Sequence, residues 1–221
     1  MTVEEQQIYT RRQLAPRAAR LTGGGPSGNE LLTSATGAVL IVLLAVIGVT
    51  ILQLRPLLSV HLFVGMLLLG PVTLKLASTG YRFVRYYTRD PAYTLKGPPP
   101  TGLRLIAPMV VLSTVVVFAS GVALLFVGPQ SRGTLLPIHK ASFIIWLAFM
   151  ALHVLAHLPS IPHALRSDYT PAGELSGDVS GRAGRRLALG GALVGGCVLA
   201  IVVIPEFGPW LNNSAIFHHH H

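Results

Sequence analysis

Cysteine and charge are scarce in this sequence of 221 residues, and each scarcity excludes a class of site. The single cysteine, Cys197, rules out an internal disulfide and any four-cysteine metal or iron–sulfur site within the chain. Charged residues make up only 11% of the sequence, against about 25% in soluble domains. All 8 acidic residues lie outside the long apolar segments. That placement argues against a proton- or cation-coupled transporter, because such proteins commonly place acids in the membrane.

Several catalytic motifs are also missing. The sequence contains no Walker-type glycine-rich loop, no G-x-G-x-x-G after a strand, no G-x-S-x-G and no H-E-x-x-H. No soluble segment is long enough to bind a flavin or a nicotinamide. Electrons passing through this chain would therefore come from a quinol or a redox partner protein, and we assign no enzymatic activity to the chain by itself.

Long apolar segments dominate what is present. The sequence is 51% hydrophobic, and its mean hydropathy is +0.59. These values predict an all-α integral membrane bundle. Segments of about 20 residues, the length that crosses a bilayer, lie at about 31–54, 57–79, 104–127, 136–158 and 186–204. Residues 1–30 are expected to form a disordered basic tail, and residues 205–221 a second tail. We exclude its terminal histidine run as a tag remnant or disordered end.

The basic residues alternate with the apolar segments instead of forming one patch. The net charge is +9, but this alternation indicates membrane topology and contact with anionic lipid headgroups, not nucleic-acid binding. It predicts a multi-pass protein of the bacterial cytoplasmic membrane with its N-terminus inside and its C-terminus outside. Assembly into a homo-oligomer is compatible with this topology. The residues predicted to lie inside are Arg11, Arg12, Arg17, Arg20, Arg82, Arg85, Arg89, Lys96, Arg104, Arg166, Arg182, Arg185 and Arg186.

The apolar segment 136–158 contains three histidines, His139, His153 and His157. At about 100° per residue, the interval from His139 to His153 falls about 40° short of four turns, and the interval from His139 to His157 makes five turns. The three imidazoles therefore share one face of a helix. Because polar side chains inside a membrane are costly, such a face predicts a functional site.

The second segment contains a histidine at the matching depth. His61 and His139 each lie three or four residues from the outer ends of the second and fourth spans, about 5 Å inside. Two neutral imidazoles at one depth predict axial ligation of a b-type haem iron. Gly65, one turn from His61, would leave room for a flat ligand. Lys75 follows His61 at the interval by which His153 follows His139, so Lys75 and His153 also share a depth, about 21 Å further in.

This spacing resembles that of bacterial di-haem membrane cytochromes b, which include the membrane subunits of hydrogenases and formate dehydrogenases and the ferric reductase-like proteins. The resemblance covers the second to fourth spans. It implies a helical bundle with histidines clamping one haem near each face, as in the electron-transfer subunit of an oxidoreductase. His61, His139 and His153 match the pattern, with His153 on the iron of a second, inner haem. Lys75 stands where a fourth histidine is expected, so the resemblance implies one haem b and leaves the second open.

Other interpretations of the same residues remain. His157, near the inner surface, is expected to form a hydrogen bond or contact a haem propionate, not to bind iron. Lys75 is expected to extend toward the inner headgroups, and the alternative is a counter-charge to a propionate. His153-x-x-x-His157 is also a spacing that holds Zn²⁺ or Cu²⁺ from one helix. A cofactor-free membrane scaffold is the third hypothesis. The segment LKLASTGYRFVRYYTRDPAYTLKGPPP also resembles a family of uncharacterised bacterial membrane proteins, which adds no chemistry.

Overall fold

The computed structural model describes residues 24–95, 97, 101–157 and 181–212. Within these residues the chain is helical and contains no strand. Five of the helices are long and apolar enough to cross a membrane. This confirms the predicted all-α fold and the predicted number of helices of membrane-spanning length. Short 3-10 turns lie at Pro129–Ser131 and Ile204–Phe207. The helices are α1 Gly25–Leu52, α2 Leu54–Tyr87, α3 Pro91–Leu95, α4 Thr101–Val127, α5 Leu135–His157, α6 Arg182–Val202 and α7 Gly208–Leu211.

The ends of two spans differ from the sequence prediction. Helix α1 begins at Gly25, six residues before the predicted span, because Gly24 adopts the left-handed conformation and a proline stands in the first turn. Residues 25–30 therefore belong to the first helix and not to a tail, while residues 1–23 lie outside the described part of the chain. Helix α2 runs to Tyr87, past the predicted end at 79. The helix is kinked at Leu57. Its continuous part, residues 58–87, measures about 45 Å, well beyond the ~30 Å of a hydrocarbon core.

Helix α2 is the centre of the bundle. It packs along α1 on one side and α6 on another, while α5 packs along α4. The α2–α6 contact brings the two backbones together at Gly70 and Gly196. A Cβ on Gly70 would lie 2.0 Å from the carbonyl oxygen of Ala192, and one on Gly196 would lie 2.2 Å from that of Leu67. Helix α6 also contains Gly190, Gly191 and Gly195, but a Cβ on any of these would meet no atom within 4 Å.

The two groups of helices, α1/α2/α6 and α4/α5, meet most clearly at the end where α2 begins. The 3-10 turn Ile204–Phe207 and α7 lie across this end. Trp210 of α7 donates its indole N–H to the carbonyl oxygen of Leu125, at 3.3 Å. Residues 204–212 were predicted to be largely part of a tail, but they form this packed cap; residues 213–221, with the histidine run, lie outside the described part. The cap buries a hydrophobic cluster of Leu58, Met66, Leu124, Leu125, Ala200, Val203, Phe207 and Trp210.

The other end of the bundle carries the cluster of arginines, and we call it the basic end. The final turns of α2 project there and pack against α3, whose Tyr93 is buried and meets the ring of Tyr81 edge-on, with centroids 6.0 Å apart. Arg85 forms an ion pair with Asp90. Its guanidinium also lies about 6 Å from both tyrosine rings. Which end faces the cytoplasm stays a prediction.

Candidate functional site

His61 is held by the first span. It lies two turns into α2, and its Nδ1 is 2.9 Å from the hydroxyl oxygen of Thr50 on α1. Thr50 is almost fully buried, and its own hydroxyl donates to the carbonyl oxygen of Ile47, at 2.6 Å. Because that hydroxyl has only one hydrogen, it accepts a hydrogen bond from the imidazole.

His139 is held in the same way by the third span. Its Nδ1 lies 3.1 Å from the carbonyl oxygen of Val117 and 3.1 Å from the hydroxyl of Ser120, both on α4. The ring packs directly over Gly121, where an added Cβ would come within 3.0 Å of the imidazole Cε1. The glycine therefore provides the space that the ring occupies.

These contacts determine which ring nitrogen of each histidine carries the proton. A carbonyl oxygen can only accept, so His139 must donate from Nδ1 to Val117. Thr50 accepts in the same way from His61. With Nδ1 protonated in a neutral imidazole, the lone pair lies on Nε2 in both rings. Histidines that bind a metal through Nε2 almost always make this kind of outward Nδ1–H hydrogen bond.

The two rings belong to helices that do not pack closely together, because α5 packs mainly along α4 and α2 mainly along α1 and α6. Gly65 lies about 40° around α2 from His61, and a Cβ added to it would meet no atom within 4 Å. His61 is hydrogen-bonded to α1 and His139 to α4, and the described residues show no histidine pair arranged to bind a haem.

Lys75 does not follow the predicted course toward the headgroups at the basic end. Its ammonium group donates to the carbonyl oxygen of Thr33 at 2.7 Å, and it lies 3.2 Å from the position of a Cβ on Gly37. Next to it, the hydroxyl of Thr33 donates to Ser78 at 3.0 Å, and the amide of Asn29 donates to the Ser78 carbonyl oxygen at 3.0 Å. The carbonyl oxygen of Thr33 takes the place of the water that would accept from the ammonium group at the membrane surface. Lys75 is therefore part of a polar interface between α1 and α2.

The remaining histidines of the fourth span are less defined. His153 is half-buried on α5, and the side chain of His157 lies outside the described residues. Between His139 and His153, the indole N–H of Trp146 donates to the hydroxyl of Thr114 at 3.0 Å. One face of α5 therefore lies against α4 over at least two turns. Within the described part of the chain, no group of three or more His, Cys, Asp or Glu side chains could hold a metal ion.

Sequence reasoning missed the residues that hold the two imidazoles. Thr50 and Ser120 are hydroxyls in predominantly apolar spans, each near the end of the bundle where the histidines lie, and Gly121 follows Ser120 directly. Their depth could have identified them, but their partners depend on which helices are neighbours. That pairing is a property of the fold and is absent from the helical periodicity of a single segment.

Comparison with protein-family models, with curated proteins and with solved structures finds no match to this chain.

Proposed function

We propose that this chain is a b-type cytochrome-like protein of the bacterial cytoplasmic membrane, with His61 and His139 as the axial ligands of a haem b between the second and fourth spans. The observation that carries the proposal is the hydrogen bonding of the two rings. Each Nδ1–H is satisfied by an oxygen of a neighbouring helix, so each Nε2 is available as a neutral donor.

The apolar character of the two helices also supports the proposal. The helices that carry the two rings are apolar, and no acidic residue lies in either one. A dry pocket of this kind is one of the factors that set a haem potential. Gly65 leaves the surface of α2 open close to His61. A bound haem b would supply a one-electron couple, while the chain supplies the two ligands, their orientation and the exclusion of water.

The proposal extends to the partners and to a second site. Since the sequence has no segment that could bind a flavin or a nicotinamide, the electron donor would be a quinol or a redox protein, and the chain would be an electron-transfer subunit. His153 is the candidate ligand of a second haem nearer the basic end. Lys75, at the corresponding depth on α2, is hydrogen-bonded to the Thr33 carbonyl oxygen of α1.

The test is the optical spectrum of the purified full chain in detergent, expressed with haem supplementation. We expect a Soret band and α-bands that sharpen on reduction. His61→Ala and His139→Ala should each abolish the signal, while His153→Ala, a matched change on the same helix as His139, should leave it or remove only a distinct second component. A colourless protein from haem-supplemented cells would contradict the proposal. Stoichiometric zinc or copper in that protein would favour the metal-binding alternative.

A further inference from the structure

A network of polar groups joins α1 to α2 near the basic end. The hydroxyls of Thr33 and Ser78 lie 3.0 Å apart, and Asn29 donates its amide to the carbonyl oxygen of Ser78, at 3.0 Å. The hydroxyl of Ser78 donates to the carbonyl oxygen of Lys75, at 3.0 Å, and Ser78 itself is buried. These bonds place Asn29 and Thr33 at the level of Ser78 and engage the neutral groups of the network with one another.

Lys75 adds a cation to this network without adding an anion. Its ammonium group donates one hydrogen to the carbonyl oxygen of Thr33, at 2.7 Å. It rests over Gly37, where a Cβ would come within 3.2 Å of Nζ. No carboxylate of the described residues forms an ion pair with it. A carbonyl oxygen accepts one of the three ammonium hydrogens but does not neutralise the charge.

Arg82 places a second cation on the same face of α2. It follows Lys75 by seven residues, which is about 20° short of two full turns, and so it lies about 10 Å nearer the basic end. Among the described residues its guanidinium has neither a hydrogen bond nor an ion pair. Arg85, by contrast, is paired with Asp90. Lys75 and Arg82 are therefore two cations, one above the other on α2, that the described acids leave uncompensated.

The depth of these two cations matches the layer of lipid phosphates. A hydrocarbon core takes about 20 residues of helix. Counted from Leu58, where the continuous part of α2 begins, the core ends near Ser78. Lys75 then lies just inside this boundary, with its ammonium group bonded to Thr33 at the level of Ser78. Arg82 lies about 6 Å outside the boundary, within the headgroup layer, so a phosphate between them could accept from both.

We infer that Lys75 and Arg82 bind the phosphate of an anionic phospholipid at the α1–α2 interface of the basic end. Phosphate oxygens are strong acceptors for both side chains. A headgroup with a net negative charge fits better than a zwitterionic one, because a zwitterion brings a cation of its own to a site that already has two. The position of Lys75 at the edge of the hydrocarbon core favours a lipid over free phosphate. The site uses neither His61 nor His139.

The experiment measures lipid binding to the purified full chain in an uncharged detergent, by native mass spectrometry and by the shift of the unfolding midpoint. We expect the wild type to bind phosphatidylglycerol at least about tenfold more tightly than phosphatidylcholine, as two basic residues near an anionic headgroup would give. Lys75→Met and Arg82→Gln should each lower the affinity for phosphatidylglycerol at least about tenfold, since each removes a charge-assisted hydrogen bond. The matched control is Arg89→Gln, which removes an exposed arginine at the same end. It should lower the affinity at most about fivefold, the general effect of one basic residue near an anionic surface.

Three outcomes would overturn the inference. The first is equal affinity of the wild type for the two lipids. The second is an equal loss in all three variants, which would indicate a diffuse surface charge. The third is an equal shift of the unfolding midpoint with inorganic phosphate alone, which would assign the site to the free ion. Arg82 lies beyond the membrane-spanning part of α2, so Arg82→Gln and its control decide the matter even if Lys75→Met does not fold. Haem content enters none of these measurements, so they are independent of the proposed function.

Discussion

Replacing Gly70 or Gly196 by alanine should separate α2 from α6. Each glycine lies against a backbone carbonyl of the other helix, and the ideal Cβ positions lie 2.0 Å from the oxygen of Ala192 and 2.2 Å from that of Leu67. Ordinary van der Waals contact begins at 3.4 Å. The shortfalls are therefore about 1.4 Å and 1.2 Å. Since the obstructing atoms are backbone, no rotamer change can relieve the clash, and the helices must move apart.

The cost follows from the size of this movement. A gap of 0.5–1 Å already forfeits about a quarter to a half of a dispersion contact, and helix association in membranes depends on such contacts and not on a hydrophobic driving force. A separation of about 1.2–1.4 Å, the shortfall at the two Cβ positions, would weaken packing along the whole α2–α6 interface. We expect a destabilisation of about 1–3 kcal/mol, the usual range for overpacking.

The assay is reversible unfolding of purified protein in mixed detergent micelles, with Gly195→Ala as the matched control. Gly195 precedes Gly196 on the same helix, and a Cβ there would meet nothing within 4 Å. Alanine raises helix propensity by up to about 1 kcal/mol at either position, so the difference between Gly196→Ala and Gly195→Ala isolates the packing term. Equal stability of these two variants would refute the close approach of α2 and α6.

Three further predictions concern other parts of the fold. Lys75→Met should change stability by less than about 1 kcal/mol. The variant loses one hydrogen bond to Thr33, worth about 0.6 kcal/mol in membranes, but it no longer buries a cation. A drop of several kcal/mol in the unfolding assay would contradict this prediction. Trp210→Ala should cost about 3–5 kcal/mol by removing a buried indole and its bond to Leu125. Burial, and next the nearby Tyr81, raise the pKa of Tyr93, so its contribution to stability is complete below about pH 10 and is lost as the pH rises further. Alkaline unfolding should therefore be less steep in Tyr93→Phe.

The sequence predicts the five spans well because the membrane imposes their length and polarity. All five long helices overlap their predicted segments. The ends are less predictable, since a helix need not stop at the edge of the bilayer. Helix α2 continues through Arg82 to Tyr87 because those residues tolerate helix and no proline occurs between Pro71 and Pro91. Helix α1 starts early because Gly24 and Pro26 provide a start signal inside a segment that composition alone marks as a tail.

The histidine positions were predictable from helical periodicity, but the contacts of their rings were not. Depth and spacing place His61 and His139 at one level, and this needs only the rise of a helix. The acceptors Thr50, Ser120 and Val117 lie on other helices, so they depend on which spans are neighbours. Lys75 illustrates the same limit. Without a neighbour it would extend to the headgroups, but the carbonyl of Thr33 lies within reach across the α1–α2 interface.

The arrangement around α2 separates the stability of the bundle from the geometry of the candidate site. Gly70 follows His61 by nine residues, which is about 900° and places them on opposite faces of the helix. One face meets α6 through backbone contact, and the other meets α1 through the bond between Thr50 and His61. Moving α6 away should therefore weaken the fold without disturbing the hydrogen bond of the imidazole. A Gly70→Ala protein that stays folded should keep the wild-type ¹⁵N chemical shifts of the His61 imidazole, whereas Thr50→Val should change those shifts at a smaller cost in stability.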